Sequence, residues 1–134
     1  MRPHTRLTAL AAAALLLAGC VIGPSGQTFK PAMSAAGVEA RLRFRKGELR
    51  GELIEVRDTG LVIAPRGDVV YVPFTVIRAS RFAQTNLASL GGVPSPQTRE
   101  RMRLLSRFPN GLPPDQLERF LASRGQQSLR VYQP

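Results

Sequence analysis

Apolar and charged residues alternate through the segment 38–44, where every second residue is apolar. This period of two predicts a β-strand with one buried face and one face in water. A polar turn at 45–47 separates it from a second predicted strand, Glu48 to Val56. The apolar positions of that second strand change phase after Leu53. We therefore predict a bulge or a strong bend in it, which Gly51 is well placed to allow.

Three further short strands and one helical turn are predicted between residues 61 and 82. Pro65 ends the first of them, and Pro73 marks the end or the edge of the next, because proline cannot donate a ladder hydrogen bond. The predicted segments are a strand at 61–64, a strand at 69–74, a helical turn at 75–77 and a strand at 78–82. Five short strands joined by tight turns predict a strongly bent antiparallel sheet that closes into a small barrel.

The segment 38–83 resembles the SH3-like barrels, and among them the Sm-like proteins. The matching features are GELIEVRDTGLVI, which has a glycine in the bent second strand, and VVYVPFTVIRASRF. The resemblance implies a small five-stranded barrel. Sm proteins bind RNA with a loop after the second strand, and Asp58 falls near that place. Thr59 and Gly60 depart from the family pattern there, so RNA binding is not carried over and we expect no nucleic-acid partner.

The chain after the predicted barrel has the pattern of two helices. Ser95 is a suitable N-cap, and the proline after it suits the first helical position. Turn residues interrupt the helical pattern at 108–111. The second helix is predicted to begin at Pro113 or Pro114 and to end before Gly125. Two antiparallel helices of this kind are expected to pack together and against the barrel.

The predicted fold class is mainly β with some α: a five-stranded SH3-like barrel followed by a helical hairpin. The C-terminal tail alternates again around Leu129 and Val131, which predicts an edge strand or a contact with a partner. The predicted organisation is a barrel at 36–84, a connector at 85–94, a helical hairpin at 95–125 and a tail at 126–134.

The first twenty residues have the layout of a secretory signal peptide. Arg2 and Arg6 precede an apolar stretch at 7–18. This stretch is too short to cross a bilayer, because a spanning helix needs about 20 apolar residues. It ends in Leu17-Ala18-Gly19-Cys20, which resembles the lipobox of bacterial lipoproteins. The resemblance implies cleavage between Gly19 and Cys20 and the attachment of lipid to Cys20.

The lipobox resemblance implies a lipid-anchored protein of the cell envelope. Several acyl chains on Cys20 would hold it at a membrane without a spanning segment. In enterobacterial lipoproteins an aspartate after the cysteine tends to retain the protein at the inner membrane. Val21 stands there, which favours the periplasmic face of the outer membrane. The implied organisation is a signal peptide at 1–19 and a lipidated N-terminus with a flexible tether at 20–35.

Composition limits the chemistry that the mature chain can perform. Loss of Arg2 and Arg6 leaves 17 of the 19 basic residues against 9 acidic ones, a net charge of +8. His4, the only histidine, leaves with the signal peptide, and the lipid occupies the only cysteine. The mature chain then lacks an imidazole or a free thiol for a general base, a nucleophile or a metal ligand. We expect no catalytic residue, metal or cofactor, and a protein that is not an enzyme.

Two groups of arginines are candidate anion-binding residues, because the guanidinium fork fits phosphate and carboxylate groups. The first group, Arg41, Arg43 and Arg45, is predicted to share the exposed face of the first strand, with Lys46 and Arg50 nearby. Pairing with Glu39, Glu48 and Glu52 is the alternative there. The second group has a spacing of four residues and is expected to line one helix face without an interleaved acid, where an ordinary solvated face is the alternative. The candidates of the first group are Arg41, Arg43 and Arg45, and those of the second group are Arg99, Arg103 and Arg107.

These observations favour a non-enzymatic module that binds or scaffolds another envelope component, with an envelope protein as the first hypothesis. The alternative is a protein whose arginines bind anionic envelope polymers, polysaccharide or lipid headgroups, with a strong dependence on salt. A hydrolase that uses carboxylates alone is the least supported hypothesis. Glu52 and Glu55 oppose each other on a regular strand, so they do not form a catalytic pair there.

Overall fold

The computed structural model of this chain describes residues 35–134, and each structural statement below concerns those residues. The predicted signal peptide, the lipidation site at Cys20 and nearly all of the predicted tether lie outside the described residues. They therefore remain predictions from the sequence.

The described residues form one open, mixed sheet that carries two helices. Six strands pair antiparallel, and a short seventh strand pairs parallel at one edge. The spatial order of the strands is β6-β5-β1-β2-β3-β4-β7. Their bounds are β1 Glu39–Arg43, β2 Glu48–Val56, β3 Gly60–Ala64, β4 Val70–Pro73, β5 Ala79–Phe82, β6 Ala88–Leu90 and β7 Arg130–Val131. The five strands and the helical turn predicted between residues 38 and 82 are confirmed, the turn being a 3₁₀ helix at Phe74–Val76.

The prediction of a closed five-stranded barrel is wrong. In the described part of the chain β4 and β5 do not pair with each other, and the 3₁₀ helix stands between them. Pro73 ends β4 without a backbone N–H to donate. A closed barrel would require the free edges of β4 and β5 to pair with each other. Each of these edges instead pairs with another strand, β4 with β7 and β5 with β6. The strand β6 lies within the segment that was predicted to be a connector.

The predicted irregularity in β2 is confirmed as a bulge. Leu53 pairs with Ile63 and Glu55 pairs with Val62, so that Ile54 is the extra residue. Gly51, which was predicted to allow the bend, lies three residues before this bulge and is not part of it. Its absent side chain instead allows two strands to approach each other closely. A Cβ atom at Gly51 would lie 2.6 Å from the backbone at the end of β3, which requires glycine for this close approach of two strands.

The sheet has an apolar cluster on each face, and β3 is buried on both. The inner face is the one that carries Leu42, Leu53 and Ile63, and its cluster also contains Phe74. The outer face is the one that carries Val62, whose cluster also contains the bulge residue Ile54. Alternate residues of β3 therefore belong to different clusters, which explains why all five residues of this strand are buried.

The two helices pack on opposite faces of the sheet. Helix α1, Pro96–Arg103, supplies Met102 to the inner cluster, whereas helix α2, Pro114–Ser123, supplies Leu117 and Leu121 to the outer cluster. The predicted helix limits are confirmed at the Ser95 cap, whose hydroxyl accepts a hydrogen bond from a backbone N–H in the first turn of the helix. The expectation of a hairpin with one shared core is wrong, because the turn at 108–111 carries the chain from one face to the other.

The C-terminal tail forms the predicted edge strand. Strand β7 pairs with β4 at Val70 and Tyr71. The buried side chain of Gln126 makes two hydrogen bonds with the backbone just before β4. Its Oε1 accepts from the N–H of Val69 at 2.5 Å, and its Nε2 donates to the carbonyl of the same residue at 3.0 Å. This amide fixes the start of the tail to the sheet.

Candidate anion-binding face

The outer face of the sheet is only partly covered. Helix α2 packs over the part formed by the bulge of β2 and by β3. The part formed by β5, β1 and the start of β2 carries exposed side chains instead. We call this surface, together with the turn between β1 and β2, the basic face. Its cations are Arg41, Arg43, Arg45, Lys46, Arg50 and Arg81, all exposed.

Strand register places three of these arginines in a row across the sheet. Arg41 of β1 is directly opposite Arg50 of β2 on one side and Arg81 of β5 on the other. Directly paired residues point to the same face with their Cβ atoms about 5 Å apart, so like charges at such positions repel each other. Three guanidinium groups thus lie on neighbouring strands of one open surface.

Glu48 is the acid that neutralises part of the basic face. Its carboxylate accepts a hydrogen bond from Arg50 at 2.5 Å and lies 3.5 Å from Arg41. The hydrogen bond from Arg50 is the main cause of a lowered pKa of Glu48, and the charges of Arg50, Arg41 and Arg43 act in the same direction. The alternative interpretation of this cluster, in which strand glutamates pair with the arginines, therefore holds at Glu48.

The remaining cations of the basic face are not paired in this way. Glu52 binds an arginine from outside the face, and Glu39 forms no ion pair with any described residue. Within residues 35–134, several cations of the basic face also form no ion pair, and neither does the neighbouring Arg78. Those of the basic face are Arg43, Arg45, Lys46 and Arg81. The basic face consequently keeps a net positive charge.

The second group of candidate arginines is neutralised by acids from elsewhere in the chain. Helix α1 ends at Arg103, so Arg107 lies beyond it and the three do not line one helix face. Arg99 lies 3.8 Å from Asp58, and Arg103 donates to the same carboxylate at 2.8 Å. Arg103 also pairs with Glu100. The expectation that these arginines lack acidic partners is wrong, because the turn between β2 and β3 brings Asp58 to them.

Arg107 holds several parts of the fold together. Its guanidinium donates two hydrogen bonds to Glu52, at 2.7 and 2.9 Å, and lies over the ring of Phe120 at 4.8 Å. The backbone N–H of Gly37 donates to the same carboxylate at 2.8 Å. The hydrogen bonds to Glu52 raise the pKa of Arg107. This arginine therefore connects β2, helix α2 and the first described residues.

A cleft of about 770 Å³ lies where the basic face meets the end of helix α2. Arg50 and Arg66 line it together with Arg124, which donates to carbonyl oxygens of the turn between β3 and β4. Glu39 and Glu52 line it as well, so the cleft carries charges of both signs.

Arg81 is the member of the basic face that sequence reasoning missed. The alternation of β5 gave a signal for its exposure, but only the strand register shows that Arg41 is its neighbour. Arg50 was placed near the first group by its position in the chain, and the register shows that it lies directly opposite Arg41. Long-range pairing of strands therefore defines this site.

The carboxylates of the described residues are largely paired with arginines. Glu55 binds Arg57 at 3.2 Å, and Asp68 binds Arg130 at 2.5 Å. Among residues 35–134 no group of three acids, histidines or cysteines is arranged to hold a metal ion. None of the helices in this range is long and apolar enough to cross a membrane.

No protein-family model matches the chain, and neither a curated protein nor a solved structure matches it. The functional proposal consequently depends on the geometry of the basic face and on the resemblances in the sequence.

Proposed function

We propose that this chain is a lipid-anchored, non-enzymatic protein of the cell envelope that binds phosphate-bearing components through its basic face. The observation that carries the proposal is the row of Arg41, Arg50 and Arg81 on a part of the sheet that neither described helix covers. The lipobox-like sequence that ends at Cys20 supports the anchored state. Outer-membrane localisation remains a proposal based on Val21.

The charges of the basic face favour an anionic ligand over a neutral protein surface. Glu48 already lies between Arg41 and Arg50, whereas Arg41 and Arg81 oppose each other without an acid of the described residues between them, and an anion there would remove their repulsion. Guanidinium groups also donate two parallel hydrogen bonds to one phosphate group. Neighbouring strands are about 4.8 Å apart, so the row spans roughly 10 Å and suits several phosphate groups along a polymer or on a membrane surface.

Binding of this kind is tested with the full, lipidated protein extracted in detergent. The probes are inorganic polyphosphate and vesicles of phosphatidylcholine with or without phosphatidylglycerol. The double variant Arg43→Ser, Arg81→Ser removes two unpaired cations from the face. Each cation near an anionic surface contributes about 1 kcal/mol, so we expect the loss of two to lower affinity about 30-fold. Binding of the unaltered protein is also expected to weaken steeply as salt is added.

The double variant Arg101→Ser, Arg119→Ser is the control, because it removes the same charge from exposed positions on the two helices. We expect it to change affinity by no more than about twofold, since these sites are outside the basic face. Equal losses in both double variants would show that net charge alone attracts the ligand, and the proposed face would be wrong. Because the acyl chains insert into either kind of vesicle, the vesicle readout is the preference for vesicles that contain phosphatidylglycerol over those that do not. Binding to polyphosphate without this preference would identify a polymer, and the preference without binding to polyphosphate would identify a lipid surface.

The anchor has its own test, which does not depend on the basic face. Intact-mass measurement of the membrane-extracted protein is expected to show loss of residues 1–19 and a lipid adduct on Cys20. A full-length, unmodified chain would contradict the anchored state, and the binding of polyphosphate would then be measured on that chain.

A further inference from the structure

Phe108 is an exposed aromatic residue with an unfavourable backbone conformation. Its φ angle is +43°, and 45% of its surface is exposed. Bulky residues rarely adopt the left-handed region, and such strained positions concentrate at functional sites. The conformation belongs to the turn that reverses the chain, which also contains Asn110 and Gly111 at positive φ.

Hydrogen bonds on both sides hold this turn in place. The backbone N–H of Arg107 donates to the carbonyl of Leu53 at 3.0 Å, and that of Asn110 donates to the carbonyl of Arg103 at 3.0 Å. The N–H of Gly111 closes the turn on the carbonyl of Phe108 at 2.9 Å. The partly exposed ring is therefore presented by a backbone that is bonded to β2 and to the end of α1.

The turn lies where the chain arrives from the predicted tether. The backbone N–H of Phe108 donates to the carbonyl of Ala35 at 3.1 Å, and Ala35 is the first described residue. Gly37 lines the cleft together with Arg50 of the basic face and Arg66, so the place where the chain enters the described structure also borders the basic face. One side of the molecule thus combines the chain entry, an exposed aromatic ring and nearby cations.

We infer that Phe108 inserts into the surface of the bilayer to which the chain is anchored. This inference depends on the anchored state proposed above. The predicted tether comprises the 14 residues 21–34, and a flexible coil of that length would have a root-mean-square reach of roughly 20 Å. A domain of 100 residues has a radius of gyration of about 13 Å, so its full width exceeds that reach. The side on which Ala35 lies is consequently expected to be near the bilayer for most of the time.

A bilayer is the occupant that these features fit best. Aromatic rings are favourable at the boundary between headgroups and acyl chains, and neighbouring cations are attracted to anionic headgroups. A tether of this length also makes the contact intramolecular, with an effective concentration in the millimolar range. A single weakly inserting side chain is then sufficient to orient the domain.

The chain contains no tryptophan, so Phe108→Trp introduces a unique fluorescent reporter. The lipidated variant is reconstituted into vesicles of phosphatidylcholine and phosphatidylglycerol, with and without brominated acyl chains. We expect a blue-shifted emission that brominated lipid quenches. Val131→Trp is the control, because Val131 is 59% exposed at the β7 edge of the sheet, and we expect no quenching there.

A second arm separates this inference from the anchor itself. The chain from Cys20 onward contains the whole described sheet, and its only cysteine is coupled to a maleimide phospholipid in the same vesicles. If natural lipidation does not occur, this arm still places the tether at a bilayer. Quenching of the Phe108→Trp reporter is the expected result. Emission that matches the Val131→Trp control in both arms would overturn the inference.

Phe108→Asn removes the ring while retaining a residue that tolerates the left-handed region, so the turn is expected to persist. Loss of one inserted aromatic ring is expected to lower the equilibrium constant for contact between the tethered domain and the bilayer about tenfold. A spin label attached at Pro109→Cys, an exposed position that is not at positive φ, is expected to become more accessible to a water-soluble relaxation agent in this variant. Unchanged accessibility would contradict insertion by Phe108.

Discussion

Gly51 shows at the scale of one residue how closely two strands approach each other. A Cβ atom there would lie 2.6 Å from backbone atoms of Ala64 and Pro65, neither of which can move without displacing β3. We expect Gly51→Ala to lower the free energy of unfolding by about 2 kcal/mol, as overpacking does elsewhere. Gly67→Ala has open space around its Cβ, and we expect it to be neutral or slightly stabilising. Urea denaturation of both variants checks this, and equal effects would contradict it.

The ion pair between Glu52 and Arg107 is a second prediction at residue scale. Both side chains are about three-quarters buried, and Glu52 also accepts from the backbone of Gly37. We expect Arg107→Met to lower the free energy of unfolding by about 2 kcal/mol, because Glu52 then loses two charge-assisted hydrogen bonds. Arg119→Met breaks an exposed i,i+4 contact at 3.8 Å, and we expect a loss below about 0.5 kcal/mol. Denaturant unfolding of both variants measures the difference.

Residue-scale reasoning from the sequence was limited by long-range pairing. Arg107 and Glu52 are 55 residues apart, and Arg103 and Asp58 are 45 apart. Local spacing placed the second arginine group on one helix but contained no information about acids that the fold brings to it. The exposure of Arg41 and Arg43, by contrast, followed directly from the period of two in β1. Alternation reports which side of a strand is wet, and it does not report which strand lies next to it.

At the scale of elements, Gln126 joins the C-terminal segment to the sheet. Its amide satisfies the buried N–H and C=O of Val69. We expect Gln126→Leu to cost about 2 kcal/mol of unfolding free energy, because both backbone groups lose their partner. Hydrogen exchange is expected to show faster exchange at the Val69 amide and in β7. Gln127→Leu is the control, since Gln127 is exposed, and comparable exchange in the two variants would contradict this function of Gln126.

Element prediction succeeded where several residues share a period and failed where they do not. Strands β1 to β5 alternate or are continuously apolar, and their predicted limits agree with the observed ones within one or two residues. Strand β6 has only three residues and its sequence, Ala-Ser-Leu, carries no usable period. Its presence is one reason that the sheet stays open. Short edge strands are determined by the neighbour they pair with, which a local pattern cannot show.

At the scale of the whole molecule, Glu48 is the acid that would compete with a bound anion for the arginines of the basic face. Its pKa is lowered in the folded protein, so its contribution to stability is complete above pH 4.5, its ordinary value, and is lost as the pH falls through the lowered value. Glu48→Gln is therefore expected to remove this acid-dependent part of stability. The same substitution removes a competing anion, and we expect tighter binding of polyphosphate at neutral pH.

Titration of binding against pH checks the prediction for Glu48. The affinity of the unaltered protein is expected to approach that of Glu48→Gln only as the pH falls through the lowered pKa of Glu48, because protonation then removes the competing charge. Glu118→Gln is the control, since Glu118 lies on α2 and forms no ion pair with any described residue. A difference between the unaltered protein and Glu48→Gln that persists at low pH would contradict this account.

The opposed arginines of β5, β1 and β2 also offer a way to search for the proposed anionic ligand, because its binding is expected to change the melting temperature. Repulsion between Arg41 and Arg81, which Glu48 does not bridge, is expected to lower the melting temperature of the unliganded protein, and an anion that binds beside them would relieve it while binding only folded protein. Thermal denaturation in the presence of candidate glycolipids, teichoic-type polymers or nucleotides would then rank these compounds by the shift that each produces. We expect ligands of the basic face to raise the melting temperature of the unaltered protein but not that of the Arg43→Ser, Arg81→Ser variant.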